Sequence, residues 1–256
     1  MQREILQLPP PPADERIPYG DDPNHFADIR VPEGKGPHPV AIVIHGGFWR
    51  AAFNLEHAGH MCQAFRFTGV ATWSLEYRRI GQPGGGYPGT LEDVAQGAAH
   101  LRKIADRFRL DLSRTAAIGH SAGGHLALWL AAEKPLPLRG AVALGGVCDL
   151  RRAYELKLGN LVVNDFIGAG PDTAPDRYRR ASPIERLPLR VPSRLVHGAD
   201  DNIVPLEIGR RFEEAARKAG DDCRLIPLPG AGHFEVIDPR KKEFTVVRET
   251  LLELLR

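Results

Sequence analysis

Short apolar runs alternate with helix-length segments along the chain, which predicts an α/β fold. The expected form is a doubly wound, mostly parallel sheet with helices on both faces. Three observations carry this reading. Runs such as residues 40–44 (Val-Ala-Ile-Val-Ile) and 140–144 are short and almost wholly apolar, as strands buried on both faces are. Between such runs lie segments whose apolar residues recur at helical spacing. A length of 256 residues, with 43% hydrophobic and 26% charged, suits one large domain with a substantial core.

Each element follows from its own residues. The chain opens on Met1-Gln2-Arg3-Glu4-Ile5-Leu6-Gln7-Leu8 and then four consecutive prolines, Pro9 to Pro12, and reads as an extended, weakly ordered lead-in. Residues 26–31 form an early edge strand, 40–44 a central one, and 70–75 the next. Residues 91–108 form the cleanest helix: Leu91, Val94, Ala95, Ala98, Leu101, Ile104, Ala105 and Phe108 make one apolar stripe despite Gly97, and Thr90 with Asp93 supplies an N-terminal cap. Strands at 115–118, 140–144, 193–197 and 223–228 follow, with a helix at 206–219 that turns Ile208, Phe212, Ala215 and Ala219 to one side. The last helix starts at Asp238-Pro239, aspartate as cap and proline in the first turn, and buries Phe244, Val247, Leu251 and Leu254. There is no internal repeat, so residues 1–256 read as a single domain. The interval 145–189 is too long for a simple connection and reads as a small lid or cap insertion.

The segment that most narrows the chemistry is Gly119-His120-Ser121-Ala122-Gly123-Gly124. It joins the strand at 115–118 to an apolar helix beginning at His125. A serine between strand and helix, with glycine two positions away on each side, fits the nucleophile elbow: the turn is too tight for side chains at the glycines, and the serine hydroxyl stands clear of the sheet. The new helix aims its free N–H groups at the same point.

A nucleophilic serine needs a base, a group to orient that base, and donors for an oxyanion. The acid lies in His197-Gly198-Ala199-Asp200-Asp201-Asn202-Ile203-Val204-Pro205, the loop leaving the C-terminal end of a strand. Asp201 holds the acidic position of an HGxxDxxVP pattern, with Asp200 its competitor. The base is His233, in Pro229-Gly230-Ala231-Gly232-His233, after the last strand. The order serine, acid, histidine is the one this strand–turn–helix arrangement requires. The oxyanion donors are the amide of Ala122 and those of Gly47 and Phe48, in the loop His45-Gly46-Gly47-Phe48-Trp49. His45, His120, His125 and His197 sit among elbow or strand residues and read as structural.

Taken together, His45-Gly46-Gly47, the Ser121 elbow and the Asp201 loop resemble the α/β-hydrolases of the esterase/lipase type, related to hormone-sensitive-lipase-like esterases. The stretch His45-Gly46-Gly47-Phe48-Trp49 also resembles the HGGxW pattern of kynurenine formamidases. The likeness runs from about residue 17 to the C-terminus. Phe48 stands where lipase-like families have a third glycine, and the acid loop is closer to that of general esterases and prolyl-oligopeptidase-type hydrolases. The resemblance implies a carboxylesterase-type serine hydrolase acting on esters with small or aromatic groups through an acyl-enzyme, without cofactor or metal; the alternative it implies is arylformamide hydrolysis. Trp49, Phe166 and Ile167, with Leu161 and Val162, are the expected pocket residues, packing of the insertion being the other reading.

Composition limits the alternatives. A net charge of +2, with arginine pairs scattered along the chain, gives no case for nucleic acid or an anionic membrane surface. No window approaches a membrane span, and the first residues lack the apolar core of a signal peptide. Cys62, Cys148 and Cys223 have unrelated spacings, so a reduced, cytoplasmic setting is expected. The expected partner is a small-molecule ester or amide, and the oligomeric state is left open. Gly84-Gly85-Gly86-Tyr87-Pro88-Gly89 satisfies G-x-G-x-x-G, but Pro88 lacks an N–H where a phosphate needs one, and Glu92 and Asp93 repel phosphate. His57 and His60 beside Glu56 lack a third metal ligand nearby. A hydrolase-like binding protein without activity is disfavoured by the complete set of catalytic parts.

Overall fold

Every second side chain of the central strand at residues 38–44 enters a different core. Val40, Ile42 and Ile44 pack into one apolar cluster, and Ala41 and Val43 into another on the opposite face. This two-sided burial explains why the strand is apolar throughout rather than alternating. The computed structural model describes residues 4–256; Met1, Gln2 and Arg3 of the lead-in lie outside the described residues.

Among the described residues, eight strands form one sheet. They are β1 (Glu15–Pro18), β2 (Phe26–Arg30), β3 (His38–Ile44), β4 (Ala71–Leu75), β5 (Leu110–His120), β6 (Gly140–Leu144), β7 (Ser193–Gly198) and β8 (Cys223–Leu228). Their spatial order is β1-β2-β4-β3-β5-β6-β7-β8. The β1/β2 and β2/β4 pairs are antiparallel, and all others are parallel. On one face lie α2 (Gly89–Ala99), α3 (Leu101–Ile104), α4 (Ala122–Glu133) and α8 (Leu206–Lys218); α1 (Gly59–Arg66) and α9 (Glu243–Leu254) cover the other. This is the α/β-hydrolase arrangement, with the loops at the C-terminal ends of β3, β5, β7 and β8 gathered at one end of the sheet.

Several expected boundaries move, each for a tertiary reason. The sheet edge is β1; residues 26–30 lie one strand in, held on both sides. The helix expected over 91–108 breaks at His100, because the Gly97 carbonyl accepts the Trp73 indole N–H at 2.8 Å and the backbone then tightens to an i+3 bond from Lys103 to His100. Thr90 and Asp93 do not cap α2. The Thr90 hydroxyl donates to the Arg78 carbonyl, and Asp93 accepts from the Arg78 amide and guanidinium and from His25. Asp238 does not start the last helix, since its carboxylate takes the Arg240 amide and guanidinium; the helix begins at Glu243. The lead-in is ordered rather than loose: residues Glu4–Gln7 form a single 3-10 turn that buries Ile5.

Between β6 and β7, residues 145–189 fold into α5 (Leu150–Glu155), α6 (Leu158–Ile167) and α7 (Pro175–Ala181), then a 3-10 turn at Pro183–Arg186. α6 opens on a left-handed turn, Gly159, Asn160 and Leu161 all having φ between 53° and 63°. The insertion is tied down by side chains of α4: Trp129 donates to the Arg180 carbonyl and His125 to that of Ala181, both at 2.9 Å.

Backbone crowds closely where α4 leaves the sheet. A Cβ at Gly123 would lie 2.0 Å from the Ile44 carbonyl oxygen of β3, and one at Gly119 would lie 2.1 Å from the Gly123 oxygen. Gly123→Ala is therefore expected to cost at least about 3 kcal/mol, lowering the thermal midpoint by roughly 10 °C. Gly69→Ala, at φ +85° in open space, is the control and should cost about 1 kcal/mol. Differential scanning calorimetry of the two variants checks the order, and equal midpoints would refute it.

Candidate active site

Ser121 occupies the turn between β5 and α4 with φ 57° and ψ −118°, a conformation that costs a non-glycine residue about 1–3 kcal/mol. The turn is held from both sides. The Ser121 amide donates to the Leu144 carbonyl at 2.8 Å, and its own carbonyl accepts from Gly124 at 2.9 Å and His125 at 3.2 Å. Ala122 opens α4, so its N–H has no partner within the helix.

The loops after β7 and β8 bring Asp201 and His233 together. His233 Nδ1–H donates to Asp201 Oδ2 at 2.6 Å, which turns Nε2 to the other side of the ring. The other carboxylate oxygen, Oδ1, accepts the amides of Ile203 and Val204, both at 2.9 Å. Burial works to raise the Asp201 pKa, but hydrogen bonds from His197 and His233 and the Val204 amide outweigh it, and the carboxyl is held well below its usual range. Asp200, the competing aspartate, points into solvent. Gly145 lies directly beneath the pair: at φ +52°, a Cβ there would come within 3.1 Å of Asp201 Oδ2 and 3.2 Å of His233 Nδ1.

The loop after β3 carries the other expected donors. The Gly46 carbonyl accepts from His45 Nδ1 at 2.8 Å, and in a trans peptide the next N–H, that of Gly47, points the opposite way. His45 Nε2 reaches the buried Glu76 carboxylate at 3.0 Å, and Tyr77 donates its hydroxyl to the His45 carbonyl at 2.9 Å. Phe48 and Trp49 both adopt left-handed φ, 53° and 55°. No intramolecular acceptor takes the Gly47 or Phe48 amide among the described residues.

The expected pocket residues are corrected here. Trp49 is wholly buried, stacked on Phe166 at 4.6 Å and edge-on to His125 at 5.2 Å. Its indole N–H donates to His125 Nδ1 at 3.2 Å. Phe166, Ile167 and Val162 are buried beside it, and Leu161 faces outward. These side chains pack the insertion onto the domain, and none lines the cavity at Ser121.

That cavity, about 80 Å³, is bounded by Ser121, His233, Gly47 and Phe48 together with residues the sequence did not single out. Its apolar walls are Leu6, Phe53, Ile203 and Phe234; its polar side is His57 and His120. His57 Nε2–H donates to His120 Nδ1 at 2.7 Å, and His120 Nε2–H to the His233 carbonyl at 2.8 Å. Burial holds both imidazoles below the ordinary histidine pKa, His57 at about 3. In the sequence His120 reads as structural and His57 as a metal candidate lacking a third ligand; Leu6, Phe53 and Phe234 reach the cavity by tertiary packing alone. His57 uses Nε2 on His120, and the glycine run 84–89 packs on the Arg78 side chain and on the backbone of Arg79 and Phe166.

Residues 27–215 match the BD-FAE family. The chain belongs to that family. The BD-FAE chain is 30% identical to esterase LipC of Mycobacterium tuberculosis over 87% of its own length and 60% of LipC. It is 24% identical to the isoprenylcysteine alpha-carbonyl methylesterase ICME of Arabidopsis thaliana, over 86% of its length and 56% of ICME. It thus spans between half and two thirds of these curated relatives. Among solved structures, a truncated carbohydrate esterase from gut microbiota superposes with a TM-score of 0.81 at 22% identity, covering 96% of this chain and 97% of that one. An esterase of Thermogutta terrifontis, Est2 with propionate bound, gives 0.77 at 24% identity, covering 95% and 94%. These likenesses show the fold. No helix among the described residues of the BD-FAE chain is long and apolar enough to cross a membrane.

One buried histidine gives a pH prediction. His125 accepts from Trp49 at Nδ1 and donates from Nε2 to Ala181, so the neutral ring satisfies both partners and protonation breaks one. Burial lowers its pKa to about 4, against about 6.5 in the unfolded chain. The unfolded state therefore takes up this proton first as pH falls. The contribution is fully present above pH 6.5 and shrinks down to about pH 4, by about 2 kcal/mol between pH 6.5 and 5. Urea titrations at those two pH values check this: His125→Gln should lose about that much less stability than the parent, and an identical loss would count against it.

Proposed function

We propose that this chain hydrolyses carboxylic esters with small acyl groups through a Ser121-His233-Asp201 triad. The observation that carries the reading is that Ser121 and His233 open onto one cavity while Asp201 holds the far nitrogen of His233 at 2.6 Å. The esterase names of LipC and ICME support the reaction class. The cavity supports the substrate size: about 80 Å³ exceeds the roughly 10–15 Å³ that one water needs but falls far below the 300–1,000 Å³ of sites for drug-sized ligands.

In this mechanism His233 Nε2 takes the Ser121 proton as Oγ attacks the ester carbonyl carbon. The carbonyl π electrons move to oxygen, which the amides of Gly47, Phe48 and Ala122 hold. Each such donor is worth about 3 kcal/mol in the transition state. The C–O bond to the alcohol then breaks, His233 returns its proton to the leaving oxygen, and a water activated by His233 releases the acid. The likeness to kynurenine formamidases rests on His45-Gly46-Gly47-Phe48-Trp49; the tryptophan of that pattern is a core residue here and adds no aromatic wall to the cavity, so ester hydrolysis is the reading preferred over arylformamide hydrolysis.

p-Nitrophenyl acetate is expected to be turned over, with N-formylkynurenine a far poorer substrate. Ser121→Ala should abolish covalent labelling by a fluorophosphonate probe. Asp201→Asn should lower kcat by about 10³–10⁴-fold without unfolding the protein. Labelling that persists in Ser121→Ala would place the nucleophile elsewhere.

A further inference from the structure

The first described residues of the chain form a wall of the cavity at Ser121. Leu6, half-buried on the turn Glu4–Gln7, bounds that cavity and also a second hollow of about 300 Å³ on the outer side. Phe53 and His57 are likewise shared by both hollows. The second hollow runs out along Leu8 and Pro10. Leu6, Phe53 and His57 thus form the boundary that the two spaces share.

This boundary is held from behind. Ile5 is buried in the cluster that includes Met61 and Phe65 of α1 and Phe244 of α9. Pro10 rests on Gly59, where a Cβ would come within 2.9 Å of it. The Pro11 carbonyl accepts from buried Arg30 at 2.8 Å, and Asp14 takes both the Val31 amide at 2.7 Å and the Arg66 guanidinium at 2.8 Å. The four prolines between Leu8 and Ala13 stiffen the link, since each fixes its φ. Leu6 is therefore presented by an anchored strap and not by a free end.

We propose that Leu6 is the residue that limits acyl-chain length, closing the small cavity against the outer hollow. This rests on the esterase reading and extends it to specificity. With leucine in place, an acetyl or propionyl group fits against Phe48, Phe234 and Ile203, and a longer chain meets Leu6 and Phe53. Shortening Leu6 joins the two spaces and gives a longer chain room to run out along Leu8 and Pro10, the apolar side of a hollow that Asn54 and Glu56 also line.

The test compares kcat/KM for p-nitrophenyl acetate, butyrate and octanoate in the full chain, in Leu6→Ala and in Leu6→Trp. An apolar pocket discriminates by roughly tenfold or more for each methylene it accepts or refuses. Leu6→Ala should thus raise the octanoate-to-acetate ratio at least tenfold, and Leu6→Trp should lower the butyrate-to-acetate ratio. Ratios unchanged in Leu6→Trp, or in both variants, overturn the proposal; if Leu6→Ala does not fold, the tryptophan variant decides alone. The esterase reading fails separately, when the parent chain hydrolyses none of the three esters. The boundary is then read by NMR titration of acetate, butyrate and octanoate into the same proteins. A shift in chain-length preference upholds Leu6 as the limit, and its absence sinks the proposal as well.

Discussion

The approach of α4 to the C-terminal end of β3 is the constraint on which the site depends. Gly123 lies so close to the Ile44 carbonyl that no side chain fits between them. That contact sets the first turn of a helix against the loop that follows β3. It puts the Ala122 amide and the Gly46-Gly47-Phe48 backbone on the same side of Ser121. Ser121, Phe48 and Trp49 all have left-handed φ beside this contact, and such dihedrals persist only where surrounding structure over-determines them.

Buried polar groups supply much of that over-determination. Beneath the loop, Glu76 accepts from His45, from the amides of Leu55 and Tyr77, and pairs with Arg79 at 3.2 Å. Burial alone would raise its pKa, but His45, Arg79 and the Tyr77 amide keep it below the usual range. A carboxylate so enclosed is costly unless every oxygen is satisfied, and the geometry that satisfies it is narrow. These bonds tie the loop to β4 and to the turn that follows it. Tyr77 stacks on His45 at 4.4 Å, and Trp49 locks the far end against Phe166. This explains why Trp49 belongs to the core although it lies two residues from Gly47.

The parts legible in the sequence are those whose chemistry is local. The elbow needs glycine two residues either side of Ser121, whatever the rest of the chain does, and the acid and base loops follow from strand order. The parts that were not legible depend on partners far away in the chain. Nothing within residues 91–108 announces that Trp73 will capture the Gly97 carbonyl and break the helix. Thr90 and Asp93 look like a cap until Arg78 is placed beside them. Pocket residues are hardest of all, because apolar side chains at 161–167 and at 5–8 are equal candidates on composition. Only the path of the backbone sends the first set into the core and the second to the cavity.

The histidines around Ser121 show how one residue type is divided among different tasks by what faces each ring. His120 and His125 each have a donor on Nδ1 and a carbonyl on Nε2, an environment that suits only the neutral ring. Each therefore acts as a fixed strut: His125 between α4 and α7, and His120 between the elbow and the backbone of His233. His233 differs in having a carboxylate on Nδ1 and open cavity beyond it. Of these three rings, only that of His233 is hydrogen-bonded to a carboxylate. The His120 strut thus fixes the backbone from which the His233 ring projects into the cavity.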